Sequence, residues 1–191
     1  MAEIEVVVGE VDTPAGVFGA VLTSRGLSRL IFPGEDFAQC EAWVRRWEPA
    51  AARSDDRAGL RHLGEQLTAY FEGTLRKFTM PLDLRGTPFQ LRVWTALQEV
   101  GYGELRTYGQ VASGMGATKA VRAVGAANGA NPVPIIVPCH RIIGSNGRLV
   151  GYGGGLDMKR RLLEVEGVMS AFEPSGPLAA RARSLASART I

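Results

Sequence analysis

Three prolines fall within the run Asn131-Pro132-Val133-Pro134-Ile135-Ile136-Val137-Pro138, which ends on Cys139-His140-Arg141. Proline lacks a backbone N–H and disfavours helix in the residue before it, so this stretch is predicted to run extended. Whatever the chain folds into must route a stiff apolar segment to a thiol, an imidazole and a guanidinium at its end. A thiol so placed suits an activated nucleophile, because thiolate is the reactive form and a nearby cation or His base favours it. It equally suits the buried structural role that most free cysteines have. Neighbours in extended backbone point to opposite sides, so Cys139 and His140 would need a bend or a bridging water to cooperate. Glu166 is a candidate for the carboxylate that orients the imidazole. Cys40 lacks such company and reads as structural.

The elements before this run are of two kinds. Residues 4–32 hold three β-prone runs, Ile4 to Val8, Val17 to Leu22 and Leu27 to Phe32, broken by Thr13-Pro14-Ala15-Gly16 and Ser24-Arg25-Gly26. An antiparallel meander is the simplest arrangement. Residues 37–48 and 57–72 carry helical spacing, the second through Leu60, Leu63, Leu67, Tyr70 and Phe71. Phe78 to Leu84 reads as a short edge strand because of Pro81. Thr87-Pro88-Phe89-Gln90 then has the form of a helix start, with Phe89, Val93, Leu97 and Val100 on the apolar face. Thr107-Tyr108-Gly109-Gln110 is a second capping box, opening a helix through Ala112. After Gly114-Met115-Gly116, Thr118 is placed to cap a third helix, Lys119 to Asn128. Two short helices around a glycine turn fit a helix-turn-helix. The third is built almost wholly of small side chains. Such a surface serves close packing on a neighbouring helix or close approach to a DNA groove, with Arg122 as the long side chain that reaches in. Beyond Cys139, Ile142 to Val150 reads as a hairpin turned at Asn146-Gly147. Gly151-Tyr152-Gly153-Gly154-Gly155 is a loop without the Lys-Ser/Thr of a phosphate cradle. Asp157 to Glu166 is a last helix with Met158, Leu162 and Val165 on one face.

These elements divide into an N-terminal α/β domain over 1–84, a second domain over 85–167 and a tail over 168–191. The fold class expected is α+β: two small domains, an N-terminal antiparallel sheet with helices, then a mainly helical domain containing the helix-turn-helix. Charge follows the same division. Residues 1–84 carry 9 Lys or Arg against 13 Asp or Glu, whereas 85–167 carry 10 against 5. A basic second half allows a nucleic-acid partner, although a modest excess is also what a solvated face carries. With only Cys40 and Cys139, a disulfide-stapled scaffold is excluded and a reducing cytosol is the default setting. The opening MAEIEVVVGEVDTPAG has acidic residues where an export signal would be basic, and no apolar run is long enough for a membrane span.

Arg122-Ala123-Val124-Gly125, Asn131-Pro132, Pro138-Cys139-His140-Arg141, Gly151-Tyr152-Gly153-Gly154-Gly155 and Glu166-Gly167, in that order, resemble the O6-alkylguanine-DNA alkyltransferases (methylated-DNA–protein-cysteine methyltransferases) of the stand-alone repair type. The resemblance is strong over 88–167, and residues 1–87 look like the family's less specific N-terminal domain. It implies single-turnover transfer of a methyl or larger alkyl group from O6 of guanine in duplex DNA, and less efficiently from O4 of thymine, to Cys139. It implies that His140 deprotonates the thiol through a water, that Glu166 orients the imidazole, and that Asn131 braces the nucleophile segment. Tyr108 would donate to the ring nitrogen of the leaving base. The base pocket would comprise Tyr108, Cys139, Ile142, Tyr152 and Gly153, the last through its backbone N–H because the family often has Ser there. The target base must leave the stack, and Arg122 matches the family's finger that fills the gap. DNA contacts, in the minor groove, would come from Arg122, Ala123, Gly125, Ala127, Thr107 and Lys119. The resemblance further implies a monomer in the cytoplasm, with no cofactor and no membrane partner. Zinc, which some members hold in the N-terminal domain, is not expected, because that region offers only Cys40 and His62. Three other readings compete: a lesion-binding module, which would lack the acceptor Cys; a helix-turn-helix regulator, which needs no Cys139, His140 and Glu166 together; and a Cys-His hydrolase, which would turn over.

Overall fold

The computed structural model describes residues 4–172, so the tail expected at 168–191 lies outside the described residues from 173 on. The chain divides into two compact units. The first runs to Thr87 and includes Pro132–Ile136; the second comprises Pro88–Asn131 and the residues from Val137 on. The proline run is thus shared: its middle belongs to the first unit and its ends to the second.

In the first unit, β1 (Glu5–Thr13), β2 (Gly16–Thr23) and β3 (Gly26–Ile31) form the antiparallel meander. The helix α1 (Ala38–Trp47) leads to a two-residue strand β4 (Ala52–Arg53), and α2 (Ala58–Phe71) follows. The sheet order is β3-β2-β1-β4, and β4 pairs parallel to β1, so the sheet is mixed rather than purely antiparallel. Helices cover both faces. Val6, Val21 and Ile31 meet Cys40 and Val44 of α1; on the other face Leu22 and Val11 approach α2 closely at Gly59 and Gly64. The central strand β2 is therefore buried on both sides, which is why it reads as a continuous apolar run instead of an alternating one.

The strand expected at Phe78 to Leu84 does not form. Only Leu82 bridges to Leu27. Pro81 has no N–H to extend the ladder, and its carbonyl accepts from Leu27 N at 2.8 Å where Gly26, at φ +139°, leaves no room for a Cβ. Asp83, two residues on, gives its N–H to the Leu27 carbonyl at 2.9 Å, while its side chain takes polar partners: Thr23 Oγ1 donates to it at 2.8 Å and Arg25 Nε at 3.1 Å.

The second unit begins with α3 (Pro88–Gln98), followed by β5 (Arg106–Thr107), α4 (Tyr108–Gly114), α5 (Val121–Gly129), β6 (Ile142–Ile143) and α6 (Gly155–Val165). The Thr107–Gln110 capping box is formed in both directions, a device worth about 1 kcal/mol. Thr118 does not cap the third helix. The turn closes back on α4 through Ala117 N to Ala112 O at 2.8 Å, Thr118–Ala120 becomes a 3-10 turn, and α5 starts only at Val121. Helix α5 packs against α3 and α4, and Trp94, fully buried, donates Nε1–H to the Ala127 carbonyl at 2.8 Å. The hairpin expected over Ile142 to Val150 is also replaced. The Asn-Gly turn closes, Gly144 N to Arg148 O at 3.0 Å, but Ile142–Ile143 pairs parallel with β5. Among the described residues no helix is long and apolar enough to cross a membrane.

Candidate active site

The proline run is not extended to its end. Ile135 is buried with φ +73°, a left-handed conformation rare for a β-branched residue. Cys139–Arg141 then forms a 3-10 turn, with Cys139 N bonded to Val137 O at 2.8 Å and Arg141 N to Pro138 O at 3.1 Å. This turn is the bend that lets consecutive residues serve one site.

Asn131, at the end of α5, fixes the thiol. Its Nδ2 donates to the Val137 carbonyl at 2.8 Å and to Cys139 Sγ at 3.1 Å. Cys139 is only 4% exposed. Burial pushes its thiol pKa up, while hydrogen bonds from Asn131 and Tyr152 and the charge of Lys159 pull the other way. A thiol in this setting rests protonated and needs a base. His140, fully buried, makes a 2.8 Å contact between Nε2 and Glu166 Oε1. A carboxylate accepts only, so Nε2 carries the hydrogen and the lone pair of the neutral imidazole sits on Nδ1. Burial lowers the proton affinity of His140 and Glu166 raises it, with a net shift downward.

Glu166 caps α6. Burial alone would raise its carboxyl pKa, but hydrogen bonds from His140 and Arg141 more than offset that and hold it at about 2, against an ordinary 4.5. The folded value is the depressed one, so the associated stability is present above pH 4.5 and is lost as pH falls towards 2. The size is on the order of 3 kcal/mol. Urea unfolding from pH 6 to 2.5 should show that loss, and Glu166→Gln should unfold more easily at pH 6 with a flatter acid limb. An unchanged slope in the variant would remove Glu166 from this account.

Tyr108 opens α4, half-buried, with its ring beside Gly125. Burial, then the neighbouring Cys139, pushes its pKa up, which keeps the hydroxyl a donor. Ile142 is buried and Tyr152 half-buried, while Gly153 is exposed. On the helix-turn-helix, Lys119, Arg122 and Ala123 are exposed. Thr107 is buried with its hydroxyl engaged in the cap. Ala127, expected on the groove side, lies on the buried side with its carbonyl held by Trp94.

Sequence reasoning missed Lys159. It is fully buried, and its Nζ donates to the Ile142 carbonyl at 2.6 Å and the Val150 carbonyl at 3.0 Å. Burial lowers its pKa to about 8, with the neighbouring Cys139 opposing. The ammonium thus staples both ends of the turn beyond the nucleophile and holds a cation near Sγ. The signal was in the spacing: Lys159, Leu162, Leu163 and Glu166 recur at i, i+3, i+4 and i+7, and all four are buried. The expected face, Met158, Leu162 and Val165, is displaced from this stripe.

Residues 88–168 match the family model for the 6-O-methylguanine DNA methyltransferase DNA-binding domain. The methylated-DNA–protein-cysteine methyltransferase of Mycobacterium bovis is 61% identical over 102 residues, an alignment that spans 53% of this chain and 62% of that protein. The one of Methanosarcina barkeri is 42% identical over 82% of this chain and 94% of its own length. This chain belongs to the methylated-DNA–protein-cysteine methyltransferase family. The family's fold extends beyond the matched domain: a crystal structure of Mycobacterium tuberculosis OGT in complex with DNA superposes with a TM-score of 0.70 at 41% identity, covering 85% of this chain and 92% of that one. The α+β fold class is the one expected.

Proposed function

We propose that this chain performs direct-reversal DNA repair, transferring a methyl or larger alkyl group irreversibly from O6 of guanine, and less efficiently from O4 of thymine, in duplex DNA to Cys139. The observation that carries the reading is the Asn131–Sγ contact of 3.1 Å beside the His140–Glu166 pair of 2.8 Å. The thiol proton passes through a water to His140 Nδ1, and Sγ attacks the alkyl carbon. The S–C bond forms as the C–O6 bond breaks, and the electron pair returns to the purine. Tyr108 donates to the ring nitrogen where negative charge gathers. The base pocket is Tyr108, Cys139, Ile142, Tyr152 and the backbone of Gly153.

The base reaches this pocket by leaving the duplex. Helix α5 lies in the minor groove with Arg122 in the vacated stack, and Ala123, Gly125 and Lys119 face the DNA. Contacts made to the backbone rather than to base edges allow repair at any sequence. The protein works as a monomer in the cytoplasm.

The test is to incubate the protein with a duplex carrying one O6-methylguanine, weigh it intact and map the peptides. One methyl group on Cys139, saturating at one per molecule, is expected. Tight lesion binding without a mass change would favour a binding module, and neither binding nor transfer would defeat the reading.

A further inference from the structure

The Glu166 carboxylate is shared between two side chains, and the larger share is not the imidazole's. Arg141 donates from Nε to Oε1 at 3.1 Å and to Oε2 at 3.0 Å, and from Nη2 to Oε1 at 2.8 Å. Its Nη1 donates to the Val100 carbonyl at 2.5 Å. The Gly103 N–H adds a bond to Oε2 at 3.1 Å, and Tyr102 ties the same loop to the Val165 carbonyl at 2.7 Å. The single Nε–H of Arg141 is shared between both oxygens, so with His140 four donor hydrogens converge on a group with about four lone-pair directions. The carboxylate has no capacity left to take a proton, so the proton path ends at the imidazole.

The charges matter as much as the bonds. A buried carboxylate facing an imidazole alone would hold it as imidazolium. Here a guanidinium sits on the same two oxygens. The charged or titratable groups around His140 are Glu166 and Lys159 from α6, with Cys139 and Arg141 from its own turn; the Tyr102 ring of the 100–103 loop lies 5.9 Å from the Arg141 guanidinium. Two cations oppose one anion.

Resting on the alkyl-transfer reading above, we propose that Arg141 is a positioning residue that acts through Glu166. It fixes the carboxylate in register and offsets its charge, so that His140 meets the thiol as a neutral base across physiological pH. The downward shift of the His140 pKa agrees with this arrangement.

The experiment is a single-turnover rate profile from pH 5 to 9, with methylation of Cys139 read by intact mass, for the wild type, Arg141→Lys, Arg141→Met and Glu166→Gln. In Arg141→Met the acid limb should move to higher pH by about one unit, a tenfold slower rate at a fixed pH on the limb. Arg141→Lys keeps the charge and should keep the limb, with a several-fold lower plateau. Glu166→Gln should move the limb the other way. A loss in Arg141→Met by the same factor at every pH would overturn the proposal and leave Arg141 as scaffolding. Should Arg141→Met fail to fold, ¹⁵N NMR of His140 in the wild type decides: the neutral Nε2–H tautomer at pH 7 supports the proposal, and an imidazolium there overturns it. Wild-type protein that gains no methyl group would instead defeat the alkyl-transfer reading, whatever the tautomer.

Discussion

Cys139→Ala should abolish alkyl transfer while leaving affinity for a lesion-bearing duplex within about threefold of wild type. The loss is total because no other group can accept the alkyl carbon. Among the described residues the second thiol, Cys40, is buried in α1 against the sheet of the first unit, and burial raises its pKa to about 11. On the proposed reading binding survives, because the exposed residues of α5 and its preceding turn, which would meet the DNA, do not depend on Sγ. The local cost is small. Asn131 loses one acceptor but keeps the Val137 carbonyl, and removing one small buried atom costs on the order of 1 kcal/mol. Cys139→Ser is the companion variant: it preserves an acceptor for Asn131, yet its hydroxyl ionises too weakly to attack. The measurements are intact mass after incubation with an O6-methylguanine duplex and fluorescence anisotropy on the same duplex. Equal loss of transfer and binding would mean that the thiol is part of the DNA-binding surface, and the division of roles would fail.

What the sequence made legible was local. The capping box at Thr107–Gln110, the stripe of α2 and the β1–β3 meander follow from spacing within a dozen residues, and each formed. The pieces that were not legible depend on partners far along the chain. The parallel pair β5–β6 joins Arg106–Thr107 to Ile142–Ile143 and is two residues long, too short for any alternation to register. The left-handed Ile135 contradicts local preference and persists only because the surroundings hold it. Glu166 was readable as the partner of His140, but its pairing with Arg141, 25 residues away, was not, because a charged residue is by default assigned to solvent. The same default hid Lys159. In the candidate site the motif residues and Glu166 were therefore readable one by one, while the buried cations that face them, Arg141 through its pairing and Lys159 altogether, were not.

The small side chains of α5 bear on the remaining large effect. Arg122→Ala should slow repair of O6-methylguanine in duplex DNA by about a hundredfold, yet leave reaction with a free base analogue nearly unchanged. Taking a base out of the stack costs a few kcal/mol, and a side chain that fills the gap returns part of it. A difference of about 2.7 kcal/mol is a factor of about one hundred. Arg122 is exposed, on a helix whose other outward residues, Val121, Ala123, Ala126 and Gly129, all have shorter side chains that reach less far into a base-sized space. The packing side of that helix, Val124 and Ala127, does not involve Arg122, so the variant should fold as the wild type does. In the proposed mechanism a free base needs no extrusion and reaches Cys139 without passing the stack, so its rate isolates the chemistry. The check is a pair of single-turnover rates, one on the duplex and one on O6-benzylguanine, supplemented by a duplex with an abasic site opposite the lesion, where unstacking is easier and the deficit should shrink. Equal losses on duplex and free base would take Arg122 out of base extrusion and place its effect in the pocket itself.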